Sequence, residues 1–194
     1  PNPVDASLEK LKNYQNKSFN NDVFFAMSHG VHRGVLKEGK FDQREVFIDK
    51  LMKKVPNIRF SLHGMKKNQP VWADNYINAI SQCKIGLNLS QGRPVKYYSS
   101  DRFAQLIGNG LLVMIDEKTF FKDFFTNKEL IFYKDISDLS EKINKYSNDN
   151  KLRNLIAKKG RDKYFKYFNS TLVAKFIIEK TLGKNQTNFI WDKK

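Results

Sequence analysis

The sequence predicts an α/β protein: a Rossmann-like open parallel sheet with helices on both faces and a helical C-terminal tail. Three observations predict it. Short apolar runs such as VFFAMS alternate with stretches of helical periodicity, which is the pattern of β-α units in a parallel sheet. Those runs are apolar at nearly every position, as strands buried on both faces must be. From Ser137 onward the chain reads as helix only.

The elements follow in order. PNPVD and the polar stretch to Asn21 read as a linker or edge element covering residues 1–21. Val23–Ser28 is the first buried strand. After the loop HGVHRGVLKEGKF, Asp42 with Glu45 signals a helix start, and Phe47, Ile48, Leu51, Met52 and Val55 form its apolar face up to Pro56-Asn57. The unit then repeats, with strand Ile58–Gly64, helix Trp72–Ser81 and strand Lys84–Ser90. Helix Ser100–Gly108, strand Leu111–Ile115, a helix over Thr119–Phe125 and strand Leu130–Tyr133 complete the sheet. Ser137, Asn150 and Ser170 each stand where an N-cap belongs, before Leu139/Ile143/Tyr146, Leu152/Leu155/Ile156 and Val173/Phe176/Ile177, and place the closing helices over 137–182. Trp72 and the aromatic pairs 120/121, 124/125 and 132/133 read as core. The 194 residues are expected to form a single domain.

Composition narrows the function. The net charge of +15 asks for an anionic partner: nucleic acid, an acidic membrane surface or phosphorylated small molecules. The lysines are spread along the whole chain, and no basic run is interleaved with aromatics as a nucleic-acid platform would be, so nucleic acid is not the expected partner. A single cysteine, Cys83, leaves no intramolecular disulfide and no cysteine-rich zinc site, which fits a reducing cytoplasm. His29, His32 and His63 lack a carboxylate or cysteine in register and read as polar or phosphate-facing side chains rather than metal ligands. The chain has no G-x-S-x-G elbow, no P-loop lysine pattern and no G-x-G-x-x-G after its first strand. Asn169-Ser170-Thr171 matches a glycosylation sequon but reads as a helix cap.

In an open parallel sheet, ligands bind beyond the carboxyl ends of the strands. That rule selects the loops Ser28–Lys40, Gly64–Pro70 and Ser90–Arg102. The first holds Gly30, Arg33, Lys37 and Lys40; the third holds Ser90, Arg93, Lys96, Ser99, Ser100 and Arg102. Glycines let backbone amides approach a ligand, arginine grips phosphate oxygens in bidentate fashion, and helix N-termini favour anions. The set suits a diphosphate.

These residues resemble a known family, the C-terminal, donor-binding half of GT-B glycosyltransferases of the group 1 type, in its spore-maturation-type branch. PNPVD is similar to the P-N-G-V-D segment that leaves the family's N-terminal domain. VFFAMSHG with Arg33 resembles its first strand and basic loop. KIGLNLS followed by SSDRFAQLIGNGLLVMID resembles its pattern of strand, loop, S-D-R-x-F-E-A-L-A-x-G and apolar strand ending in Asp. DLSEKINKYSNDNKLRNLIAKKGRDKYFKYFNSTLVAKFI resembles its closing helices. The resemblance implies one half of a GT-B fold that binds a nucleotide-diphosphate sugar as donor and needs no metal or other cofactor. It implies that Gly30, Arg33, Lys37, Lys40, Ser90, Ser99, Ser100 and Arg102 face the donor and its phosphates. Gln105 stands where the family carries the glutamate that holds the ribose hydroxyls, and Tyr97 where it carries an earlier one. The acceptor and the catalytic base would belong to an N-terminal domain absent from this chain, so that this half alone is expected to bind nucleotide without turnover. A peripheral membrane surface or an acidic acceptor is a further partner that the charge admits. Two alternatives stand beside this reading: a non-enzymatic polyanion-binding module, and a Rossmann-type enzyme for another phosphorylated ligand.

Overall fold

The computed structural model describes residues 1–27, 43–184 and 187–192. Five strands, β1 (Asn21–Ala26), β2 (Phe60–His63), β3 (Cys83–Asn88), β4 (Leu112–Asp116) and β5 (Ile131–Tyr133), form one sheet in the order β2-β1-β3-β4-β5. Every pairing is parallel, with Val23 opposite both Phe60 and Ile85, and Ile85 opposite Leu112. The Rossmann-like architecture expected from the alternating pattern is therefore the observed one.

Alternation along each strand divides the core in two. Val23, Phe25, Ile85, Leu87, Leu112 and Met114 face helices α1 (Arg44–Lys54) and α4 (Ile136–Asn148). Phe24, Ala26, Cys83, Val113 and Ile115 face α2 (Ala73–Ser81) and α3 (Asp101–Gly108). Helix α5 (Asn150–Tyr167) serves both clusters, with Ile156 and Ala157 in one and Tyr164 in the other. Helix α6 (Ser170–Thr181) ends the helical tail. Among the described residues no helix is long and apolar enough to cross a membrane.

Two glycines set packing distances. A Cβ on Gly86 would lie 2.8 Å from Leu106 Cδ1, so the bare backbone of β3 lets α3 settle directly on the sheet. A Cβ on Gly160 would lie 2.2 Å from the Glu129 carbonyl oxygen, so the close approach of α5 to the turn before β5 needs glycine here.

The N-terminal segment lies across the α2–α3 face. Val4 donates to Phe168 O and accepts from Ser170 N, a single bridge beside the start of α6. Buried Asn13 donates through Nδ2 to Ile80 O at 2.7 Å and Cys83 O at 3.1 Å. Asn109, fully buried, accepts from Leu11 N through Oδ1 and from Asn13 N through its carbonyl. Residues read from sequence as a linker or edge are thus strapped to the domain.

Several local expectations are corrected. The helix expected over Thr119–Phe125 is two 3-10 turns, Glu117–Thr119 and Phe121–Asp123, because Phe120 between them adopts a left-handed φ of 60° that no α-helix can contain. The closing helices are capped by Asp135, Asp149 and Asn169, not by Ser137, Asn150 and Ser170. In each case a side chain one or two residues upstream accepts the first free N–H groups, and Ser137 N is itself one of the donors to Asp135. The expected Asn150 and Ser170 side chains are engaged elsewhere, accepting from Arg153 Nη1 and donating to Asp5 respectively. Trp72 and Phe120, expected in the core, are 62% and 50% exposed.

Replacing Gly160 by alanine forces a methyl group onto the Glu129 carbonyl, and the overpacking is expected to cost about 2–3 kcal/mol. Chemical denaturation should show a lower midpoint at unchanged slope.

Candidate functional site

The strand order reverses direction between β1 and β3, so α1 leaves toward one face and α3 toward the other. A crevice forms at the carboxyl ends of the two strands, the general position for ligands in such sheets. Here it is a cleft of about 790 Å³. Its floor is Ala26, Met27, Asn88 and Leu89, its walls are the first turns of α2 and α3, and the strap residues Ser7–Leu11 close one side.

The floor is organised by Arg102. From the first turn of α3 its Nη1 donates to Ala26 O at 2.6 Å, its Nη2 to Leu89 O at 2.5 Å, and Nε and Nη2 both to Asn88 Oδ1 at 3.3 Å. The guanidinium also lies 4.9 Å from the Phe25 ring centroid. These acceptors are at the ends of β1 and β3, where the ladder runs out. Burial, together with the like charge of Arg44, brings the Arg102 guanidinium down to about 10, so it stays charged at neutral pH. Arg102 therefore clamps two strand ends and contributes charge to the floor.

Ser100 caps α3 by accepting from Phe103 N at 3.2 Å and donates to Asn88 Oδ1 at 3.0 Å. Asn88 Oδ1 thus gathers Ser100 and Arg102 onto one atom. The amides of Asp101 and Arg102 at the start of α3 have no intrahelical acceptor. With the helix dipole, they favour an anion there.

Of the residues singled out by sequence, Ser90, Ser100, Arg102 and Gln105 line the cleft. Ser99 turns away, with its hydroxyl 3.3 Å from Tyr164 OH and its carbonyl accepting from Asn2. Gly30, Arg33, Lys37 and Lys40 lie outside the described residues. Tyr97 is not a cleft residue, because its left-handed backbone directs its hydroxyl to the Asp123 carboxylate.

Sequence reasoning missed several cleft residues. Asp101 and Gln105 are one helical turn apart and share the cleft wall, so a carboxylate sits beside the expected glutamine. An acid in an S-S-D-R run at a helix start was the available signal. Lys10 and Arg44 line the cleft together with Glu9 and Asp74, two of each sign. Burial raises the Glu9 carboxyl above its ordinary value despite the bond from Asp5 N. Trp72 lines the cleft, and Tyr76 packs edge-on to Phe24 at 5.3 Å with its hydroxyl buried and without a hydrogen-bond partner among the described residues.

The two buried groups give opposite expectations. Arg102→Ala leaves the Ala26 and Leu89 carbonyls and Asn88 Oδ1 short of donors and is expected to cost about 3 kcal/mol or more. Tyr76→Phe removes an unsatisfied hydroxyl and is expected to gain about 1 kcal/mol. Thermal unfolding of the two variants checks both signs.

Comparison with known proteins is in keeping with this geometry. A family model described as glycosyl transferase-like matches residues 43–179. No curated protein matches the chain. Among solved structures, Anabaena HepE in complex with UDP and glucose is similar at a TM-score of 0.62 and 11% identity, over 84% of this chain and 48% of that one. TarM is similar at 0.59 and 14%, over 84% and 36%. The C-terminal domain of LpcC, a glycosyl transferase group 1 family protein from Francisella tularensis, is similar at 0.53 and 13%, over 87% and 96%. The chain thus spans about half of HepE and a third of TarM, and these likenesses establish the fold. With the family model covering most of its length, the chain belongs to the glycosyl transferase-like family.

Proposed function

We propose that this chain is the donor-binding half of a cytoplasmic, nucleotide-sugar-dependent glycosyltransferase. The observation that carries the reading is the switch-point cleft, where Asp101 and Gln105 stand on the first turns of a helix whose N-terminus is fixed to the sheet by Arg102. Family membership and the structural likeness to a protein holding UDP and glucose support it.

In this reading the donor diphosphate lies at the start of α3. The amides of Asp101 and Arg102 and the charge of Arg102 stabilise the leaving group's negative charge, with Arg33, Lys37 and Lys40 of the loop that also holds Gly30 supplying further charge. Preorganised donors of this kind act where charge develops during transfer. Asp101 accepts from the ribose hydroxyls, and Gln105 hydrogen-bonds them without charge. Ser90 and Ser100 bound the phosphate end. The acceptor and a general base come from a second, N-terminal domain, and the reaction uses no metal.

A thermal-shift series with UDP, GDP, ADP and CMP tests this. A ligand at 100 times its dissociation constant adds about 2.7 kcal/mol, and one nucleoside diphosphate is expected to do so. Asp101→Asn should weaken that nucleotide about tenfold with little change in unliganded stability. If no nucleotide stabilises the chain and its binding to polyanions only falls with salt, the polyanion-binding alternative replaces the donor reading.

A further inference from the structure

Beside the cleft, two turns carry bulky aromatics in a backbone conformation that such residues rarely adopt. Tyr97 and Phe120 have φ of 59° and 60°. Left-handed backbone at residues of this bulk is a genuine outlier, and its persistence calls for a reason beyond folding.

The two outliers are one construction. Tyr97 N donates to Thr119 O at 2.9 Å, joining the turn Arg93–Tyr98 to the turn Glu117–Asp123. Thr119 is buried, with its hydroxyl donating to Asp116 O at 2.6 Å, and the Tyr97 hydroxyl is held by the Asp123 carboxylate. Lys96 Nζ lies 4.8 Å from the Tyr97 ring centroid and 5.4 Å from that of Phe120, spanning the seam.

The result is outward display. Phe120 sits between two buried residues, Thr119 and Phe121, and the left-handed step turns it to solvent at 50% exposure. Val95 and Tyr98 beside it are 60% and 52% exposed. Arg93, Lys96 and Lys118 on the same turns are exposed and form no ion pair among the described residues. Glu117 is paired with Lys122, and Asp123 accepts from the Tyr97 hydroxyl while keeping its charge, so Arg93, Lys96, Lys118 and Lys122 against these two acids leave the turns net positive. Tyr98 also lines the cleft, so this face adjoins the cleft mouth.

We propose that these two turns dock the protein onto an anionic phospholipid bilayer. Phe120 and Val95 have no polar atom to offer a folded partner and suit the acyl boundary. Tyr98 is an amphipathic ring of the kind that settles at the headgroup level. Arg93, Lys96 and Lys118 complement the negative leaflet, each basic residue near such a surface being worth roughly 1 kcal/mol, about fivefold in partitioning.

Vesicle co-sedimentation of the full chain, with phosphatidylcholine alone and with added phosphatidylglycerol, tests the proposal. Wild type should pellet with the anionic vesicles, remain in solution with the neutral ones, and be released by high salt. Phe120→Asn suits a left-handed position, so it should keep or raise the melting temperature while weakening partitioning at least fivefold. Lys118→Glu should weaken it at least fivefold, and combined with Phe120→Asn by more than twentyfold. Nucleotide thermal shifts should be the same in these variants as in wild type, so a failure here leaves the donor reading untouched. Equal partitioning of wild type and Phe120→Asn, no partitioning of wild type, or preference for RNA over anionic vesicles would overturn the proposal.

Discussion

The contact on which the site depends is the guanidinium of Arg102 held between the ends of β1 and β3. At a switch point, neighbouring strands send their chains to opposite faces, and the ladder that satisfied their backbone stops abruptly. The carbonyls of Ala26 and Leu89 would then be buried acceptors without donors, each a loss comparable to a missing hydrogen bond. A planar group with several donors in fixed geometry can serve both carbonyls and the Asn88 amide at once, and lysine could not. Burying the charge is tolerable because the guanidinium is hydrogen-bonded from several sides and rests on the Phe25 ring. Because Arg102 belongs to the first turn of α3, the bonds that close the sheet end also fix where that helix begins.

Gly86 and the strap complete the arrangement. Gly86 admits Leu106 against β3, which brings the start of α3 over the crevice instead of above it. Gly108 plays the same part toward the N-terminal segment, since a Cβ there would lie 2.6 Å from Glu9 Cγ and 2.8 Å from Val4 Cγ1. Arg161 of α5 ties the two together, donating to Gly108 O and Glu9 O. A segment far from the cleft in sequence thereby supplies its side wall, bonded to α5 through Arg161.

What the sequence disclosed follows from the range of each signal. Runs buried on both faces are visible locally, so β1, β3 and β4 lay within a residue or two of their expected places. Caps were displaced because Asp135 and Asp149 compete with the next polar residue for the same amides, and only geometry decides which wins. The charge of Arg102 marks it in the sequence, and it does line the cleft; its bond to Ala26 O is not legible there because the two residues are 76 apart. Trp72 and Phe120 read as core in the sequence because exposure of a large apolar side chain leaves no mark in composition. The positive φ of Phe120 is decided by two turns meeting in space, through Tyr97 and Thr119.

The charge balance of the described cleft bears on what the +15 net charge does. Lys10, Arg44 and Arg102 line it against Glu9, Asp74 and Asp101, so these residues leave it near neutrality. An anion bound there is held by local geometry, by amides at the start of α3 and by a guanidinium fixed within the wall, more than by a general positive field. Local donors of this kind act over a few ångströms and are little screened, whereas spread surface lysines act through the solvent and weaken with salt. The two kinds of charge therefore suit different partners. The excess over the cleft lies on exposed lysines along the surface, while Asp101 and Gln105 give the cleft wall one charged and one neutral group able to accept hydrogen bonds beside an anion.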